Sequence, residues 1–155
     1  MATTRVHELD TIELIGADEA VAQNQWSEEA AFTLPAGDVS GEILGVTLIT
    51  RETATGVILT PTGKLAVFKA DPGLAAGDTG LTTGKHAELL GVIDFVAGDW
   101  YSDGKGGFAF SDKPIAFFSL KTLYFAWYQE SAAGFNSATG DNEILEIAAT
   151  MRVED

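Results

Sequence analysis

From residue 123 to residue 128 the chain reads LYFAWY, six apolar side chains without a break. Such a run is too short for a buried helix and suits a strand, in which successive side chains point to opposite faces. Leu123, Phe125 and Trp127 then share one face, and Tyr124, Ala126 and Tyr128 share the other. A strand wetted on one side alternates apolar with polar residues, so this strand needs cover on both sides. One cover is the core of its own domain. The other is a second layer or another subunit, with Tyr124 and Tyr128 as the contact.

The C-terminal segment EILEIAATMRV shows the half-buried pattern instead. Leu145, Ile147, Ala149, Met151 and Val153 alternate with Ile144, Glu146, Ala148, Thr150 and Arg152, which predicts a strand with one face toward water. Turn signals recur along the chain at PAGD, ATG, PTGK, ADPG, TTGK, AGD and SDGKGG. Between them lie ILGVTLITRE, TGVILT, GKLAVFKA, AELLGVIDFV and FAFSDKPIAFFSL, all rich in β-branched and aromatic residues. Short strands at this spacing predict an all-β fold, a single β-sandwich or jelly-roll domain, with a long loop over about residues 71–85.

Residues 1–32 lack a sustained period and read as an N-terminal arm ahead of a domain over residues 33–155. Val6, Leu9, Ile12, Ile15 and Trp26 are scattered through the arm, spaced to fill small pockets on a neighbouring subunit or capsid. The same residues also fit a first strand of the domain followed by a loop.

The chain has no cysteine among its 155 residues, which removes disulfides, thiolate metal sites and thiol nucleophiles together. Its 23 Asp and Glu against 9 Lys and Arg give a formal net charge of −14. Nucleic-acid affinity comes from cations displacing condensed counterions, so no nucleic-acid partner is expected, and anionic lipid is disfavoured for the same reason. No apolar run approaches the ~18 residues of a membrane helix. Glu8, Asp10 and Glu13 stand where a signal peptide would carry its apolar stretch, so export by that route is not expected.

Only His7 and His86 are available as histidine bases, and neither sits in a recognisable nucleophile motif. No glycine-rich phosphate loop is present. The expectation is a protein that is not an enzyme and uses no cofactor or metal. The oxygen-rich turns GDWYSD (98–103) and GDNE (140–143) lack the spacing of an EF-hand calcium loop. Trp100 and Tyr101, flanked by Asp99 and Asp103, are candidates for contact with a carbohydrate or receptor; they equally suit a pair closing the end of the sandwich core.

Taken together, TLYFAWYQE (122–130), FNSATGDNEILEI (135–147) and GKLAVFKADPGLAAGDT (63–79) resemble capsid decoration, or cement, proteins of tailed bacteriophages. The resemblance covers about the last two thirds of the chain. It implies a non-enzymatic β-domain that binds the outside of a capsid and stabilises it. Its partners would be the major capsid protein and copies of itself, as a homotrimer. Such a protein is made in the host bacterial cytoplasm and resides on the virion exterior. The alternative is a carbohydrate- or receptor-binding module of a head fibre or tail, since one fold hosts both tasks.

Overall fold

Eleven strands follow one another among the residues described by the computed structural model, which are 4–35, 38–52, 59–138 and 140–154. They are β1 (Thr4–Ile15), β2 (Gln25–Trp26), β3 (Ala30–Thr33), β4 (Val39–Glu52), β5 (Gly63–Phe68) and β6 (Leu89–Phe95). β7 (Trp100–Ser102), β8 (Gly106–Ser111), β9 (Ile115–Leu120), β10 (Thr122–Gln129) and β11 (Glu143–Glu154) complete the set. The predicted strand TGVILT falls largely on residues outside the described ones.

The strands form two sheets, and every pairing is antiparallel. The first runs β1-β11-β4-β8-β7, with β9 also on β4; the second runs β2-β10-β5-β6, with β3 also on β10. β8 lies opposite residues 46–51 of β4 and β9 opposite residues 39–43, so the two are one strand broken around Pro114, which has no N–H to give a ladder. β2 and β3 likewise share one edge of β10. Joining each broken pair and setting aside the short edge strand β7 leaves eight strands in spatial orders 1-8-3-6 and 2-7-4-5. That is the connectivity of a jelly roll. The all-β sandwich read from the turn spacing is the observed fold.

Between the sheets lies the main core. Leu9, Ile15, Ile43, Leu48, Leu145, Ile147 and Met151 enter from the first sheet, and Leu65, Val67, Ile93, Phe95, Leu123, Phe125 and Trp127 from the second. Phe95 packs its ring against Trp127 and Trp100, with centroids 6.2 Å apart in both cases. β11 alternates as its sequence predicts, with residues 145, 147, 149, 151 and 153 buried.

The second cover over β10 comes from the chain itself. Outside the second sheet, Ala66, Phe68 and Ala126 are buried beneath Leu74, with Trp26, Leu81, Leu89, Val92 and Tyr124 packed around them. Leu74 and Leu81 belong to the connection between β5 and β6, where the long loop was predicted. That connection is fastened by backbone bonds from Trp26 N to Asp78 O (2.7 Å), from Gly77 N to Trp26 O (2.9 Å) and from Lys69 N to Glu88 O (2.9 Å). The chain thus covers the outer face of β10 at Ala126 and in part at Tyr124, while Tyr128 stays half-exposed.

The N-terminal segment is not a separate arm. β1 pairs with β11 from Thr4 to Ile15, and Leu9, Leu14, Ile15 and Val21 lie in the main core. Its periodicity is hidden by irregularities in register between Leu9 and Ile12 and again between Glu13 and Ile15. Each one shifts the phase of the alternation, so a strict two-residue period loses the buried face. The same bulges, with Arg5, Glu8 and Glu13, discourage this edge strand from pairing with another chain.

A chain beginning at Thr33 loses the whole edge of the first sheet and both pieces flanking β10. It is expected to give no cooperative unfolding transition by circular dichroism, whereas cooperative melting would show that residues 4–32 are dispensable. Trp127→Ala is expected to destabilise the full chain by about 3–5 kcal/mol in denaturant titration.

Candidate functional site: an exposed aromatic face

The two outer faces of the sandwich differ. The second sheet is roofed by the β5–β6 connection, whereas the outer face of the first sheet carries large apolar side chains in the open. Tyr101 is 74 % exposed, Phe108 52 %, Phe110 63 % and Phe118 75 %. They follow one border of the sheet, from β7 through β8 to β9. Cross-strand register puts Tyr101 beside Phe108, Phe108 beside Ile49 and Phe110 beside Thr47.

The local sequence explains the geometry. Phe108 and Phe110 are two residues apart on β8 and so project to the same side, with Ala109 between them turned into the core. Tyr101 and Phe108 stack at 5.4 Å with only 12° between their planes. Gly45 makes room for Phe110, because a Cβ there would lie 3.0 Å from its ring. The hairpin joining β7 to β8 is set by Asp103, whose Oδ1 accepts N–H bonds from Lys105 (2.9 Å) and Gly106 (3.0 Å), and by Gly104 at φ 85°. Those two bonds hold the Asp103 carboxyl below its usual range.

A shallow groove of about 690 Å³ runs along this border, lined by Thr47, Ile49, Arg51, Tyr101 and Phe108 among others. Charge reaches the groove at Arg51 and Asp103 and continues across β4 and β11. Arg51 Nε meets Glu146 Oε1 at 2.7 Å and Arg152 meets Glu42 at 3.5 Å, so these cations are engaged by neighbouring carboxylates. An aromatic border and a set of ion pairs thus lie side by side on one sheet.

The residues singled out from the sequence do not gather here. Leu9 and Ile15 are core residues of this chain, and Ile12 packs against that core, which corrects their assignment to a neighbour's pockets. Val6 is 65 % exposed on β1, at the far border of the first sheet from β7. Trp26 leans on Tyr128 (5.1 Å) and Phe68 (6.3 Å), and Tyr124 lies partly under the loop, so this group belongs to the second sheet. Trp100 is buried and its Nε1 donates to Pro61 O at 2.8 Å, which leaves it unavailable as a ligand contact. Tyr101 alone of that pair faces water.

The sequence reading missed Phe108, Phe110 and Phe118. The signal was their spacing within FAFSDKPIAFFSL, but Ala109, Ile115 and Phe117 make the other face apolar too, and the segment reads as covered on both sides.

His7 sits on β1 and His86 on a short 3-10 turn before β6, in different sheets' surroundings. Among the described residues no group of three His, Asp or Glu side chains is placed to hold a metal ion. The acidic turns use their carboxylates locally: Asp99 Oδ2 accepts from Val96 N (2.8 Å) and Asp141 Oδ2 from Ala138 N (3.0 Å).

No protein-family model matches the chain, and no characterised protein matches it in sequence. Among solved structures it is similar to dimeric latent PorU from Porphyromonas gingivalis, at TM-score 0.43 and 12 % identity over 99 % of this chain and 13 % of that one. A chain of Desmodium yellow mottle tymovirus aligns at TM-score 0.35 and 10 % identity, over 100 % of this chain and 87 % of that one. Kashmir bee virus, as an empty particle, gives 0.38 and 10 %, over 97 % and 90 %. These are distant similarities in strand arrangement, and at such scores they carry no argument about function.

The roof over the second sheet carries two carboxyls, Glu29 and Asp71, shifted in opposite directions. Glu29 is pushed above its ordinary 4.5, first by partial burial and then by a hydrogen bond shared with Asp71. Asp71 is held below its usual range by that same bond and by the Gly73 N–H. A carboxyl whose folded pKa is raised binds its proton more tightly when folded, so its contribution is complete below 4.5 and fades as pH rises through the folded value. Protection of roof amides bonded elsewhere, such as Gly77 N–H to Trp26 O at 2.9 Å, is expected to fall as pH rises above 4.5, whereas Leu74 N–H, which reaches Glu29 Oε2 at 2.9 Å and favours its ionised form, should fall less. Glu29→Gln, which keeps a donor toward Asp71 at every pH, should flatten that fall. Hydrogen exchange corrected for intrinsic rates tests this, and protection in the wild type that does not vary with pH would refute it.

Proposed function

We propose that this chain is a non-enzymatic structural protein of a phage virion, one that attaches to the outside of the capsid through the aromatic half of its first sheet and stabilises the shell. The observation that carries the reading is the strip formed by Tyr101, Phe108, Phe110 and Phe118 on an otherwise acidic surface. Large aromatic side chains left in water along one border of a sheet mark a protein contact. Aromatic side chains there supply large contact area at small entropic cost.

Two further considerations support a protein shell as the occupant. A net charge of −14 opposes adsorption to nucleic acid, which favours a component that stays on the outside of a DNA-filled particle. The segments at residues 63–79, 122–130 and 135–147 also resemble decoration proteins, and the reading takes from that resemblance the homotrimer and the major capsid protein as partners. The ion pairs Arg51–Glu146 and Arg152–Glu42 on the same face then rim the contact.

Binding to undecorated shells tests the reading. The double variant Phe110→Ser, Phe118→Ser should bind at least about tenfold more weakly, as hot-spot aromatics do. Its melting temperature should stay close to wild type, because both rings are exposed in the free protein. Raising salt from about 50 mM to about 1 M should leave wild-type affinity nearly unchanged, since an apolar contact is not screened. Unaltered binding by the double variant, or loss of most affinity in salt, would overturn the assignment of this face.

A further inference from the structure

Across the outer face of the second sheet, cross-strand register lines up Asp94, Lys64, Tyr128 and Trp26 in one row. One half of the row is an ion-paired cluster and the other half an aromatic pair. Lys64 Nζ lies 2.6 Å from Asp94 Oδ1 and 3.4 Å from Glu130 Oε1, and the Trp26 and Tyr128 rings meet at 5.1 Å with 54° between their planes. The β5–β6 connection and the following 3-10 turn do not cover this row. They stand beside it as a wall and enclose a groove of about 330 Å³, to which Thr79, Leu81 and His86 contribute.

We propose that this groove binds a neutral saccharide, with the C–H face of a pyranose on the Trp26–Tyr128 surface and its hydroxyls at Lys64, Thr79 and His86.

The lining selects for that chemistry. A wholly apolar ligand would strip water from Lys64, Asp94 and Glu130 without replacing its hydrogen bonds, which is costly. An anion meets two carboxylates around one ammonium, a local excess of negative charge. A pyranose has an apolar face and a polar rim, and so matches a row that changes from aromatic to polar across two strands. The volume is at the lower end of ligand sites and fits one or two sugar rings. The wall is preformed, because Trp26 exchanges backbone bonds with Gly77 and Asp78, so little ordering is needed on binding. The site lies on the opposite sheet from the proposed capsid contact, and neither depends on the other.

The three tryptophans supply an internal control. Trp100 and Trp127 hold their indole N–H groups against Pro61 O and Gln129 Oε1 inside the protein, and only Trp26 lines the groove. Full-length protein labelled with 15N is titrated with glucose, galactose, mannose, N-acetylglucosamine and their disaccharides to about 10 mM, followed by the indole N–H signals. At least one sugar should move the Trp26 signal saturably with Kd about 1 mM and leave the other two in place. Thr79→Val combined with His86→Ala, both exposed positions, should weaken that binding about fivefold, the loss expected for a hydrogen bond, without altering the melting temperature. The proposal is overturned if no sugar moves Trp26, if all three indoles move together, if the double variant binds as wild type, or if glucuronate binds more tightly than glucose.

Discussion

Keeping β10 dry on both faces is the constraint around which this sandwich is arranged. Its inner face carries Leu123, Phe125 and Trp127, each fully buried, and its outer face carries Ala126 beneath the loop residue Leu74. Both edges are occupied, by β5 on one side and by β2 and β3 on the other. Where β2 and β3 break apart, Ser27 fills the gap in the ladder: its Oγ accepts from Trp127 N at 2.9 Å while its own N–H donates to Trp127 O at 2.8 Å. Trp127 Nε1 donates to Gln129 Oε1, and Gln129 Nε2 donates to Ser131 Oγ and Ala133 O. A buried amide so fully engaged adds no unsatisfied polar group to the core and fixes the turn that leads toward β11.

From that turn the order passes to the N-terminal segment. Asn136 takes a left-handed conformation (φ 53°) and donates from Nδ2 to Gly16 O, Glu19 O and Glu143 O, while its Oδ1 accepts from Glu143 N. One side chain thus ties the end of β1 to the start of β11, the two strands that form a border of the first sheet. Because the β5–β6 connection is spent on roofing the second sheet, nothing among the described residues roofs the first. The difference between the two outer faces is a consequence of how β10 was covered, and it is this difference that leaves Tyr101, Phe108, Phe110 and Phe118 in water.

The parts of this arrangement legible in the sequence are those where local pattern and tertiary environment agree. β11 alternates and is half-buried; LYFAWY is apolar on both sides and covered on both sides as far as Trp127; SDGKGG is a tight hairpin. The parts that were not legible involve a change of phase or an ambiguity of cover. Two bulges hide the buried face of β1, so residues 1–32 read as an arm although Leu9, Leu14 and Ile15 are core. In FAFSDKPIAFFSL both faces are apolar, as in LYFAWY, yet one of them is open, because no sequence pattern states which sheet a loop will roof. Trp100 and Tyr101 show the same limit at the scale of two residues: adjacent on one strand, they point to opposite sides, one into the core and one to solvent.

If the aromatic border of the first sheet is the surface by which this protein holds a larger particle, contact should change the chemistry of those rings before any others. Hydroxyl-radical footprinting of the free protein and of protein bound to shells reads this directly, since oxidation rates follow solvent access. Phe110 and Phe118 should be readily oxidised in the free chain and protected on the particle, with Trp26 and Tyr128 reacting equally in both states. Protection centred on Trp26, Tyr128 or β1, with the rings of β8 and β9 unchanged, would contradict the account.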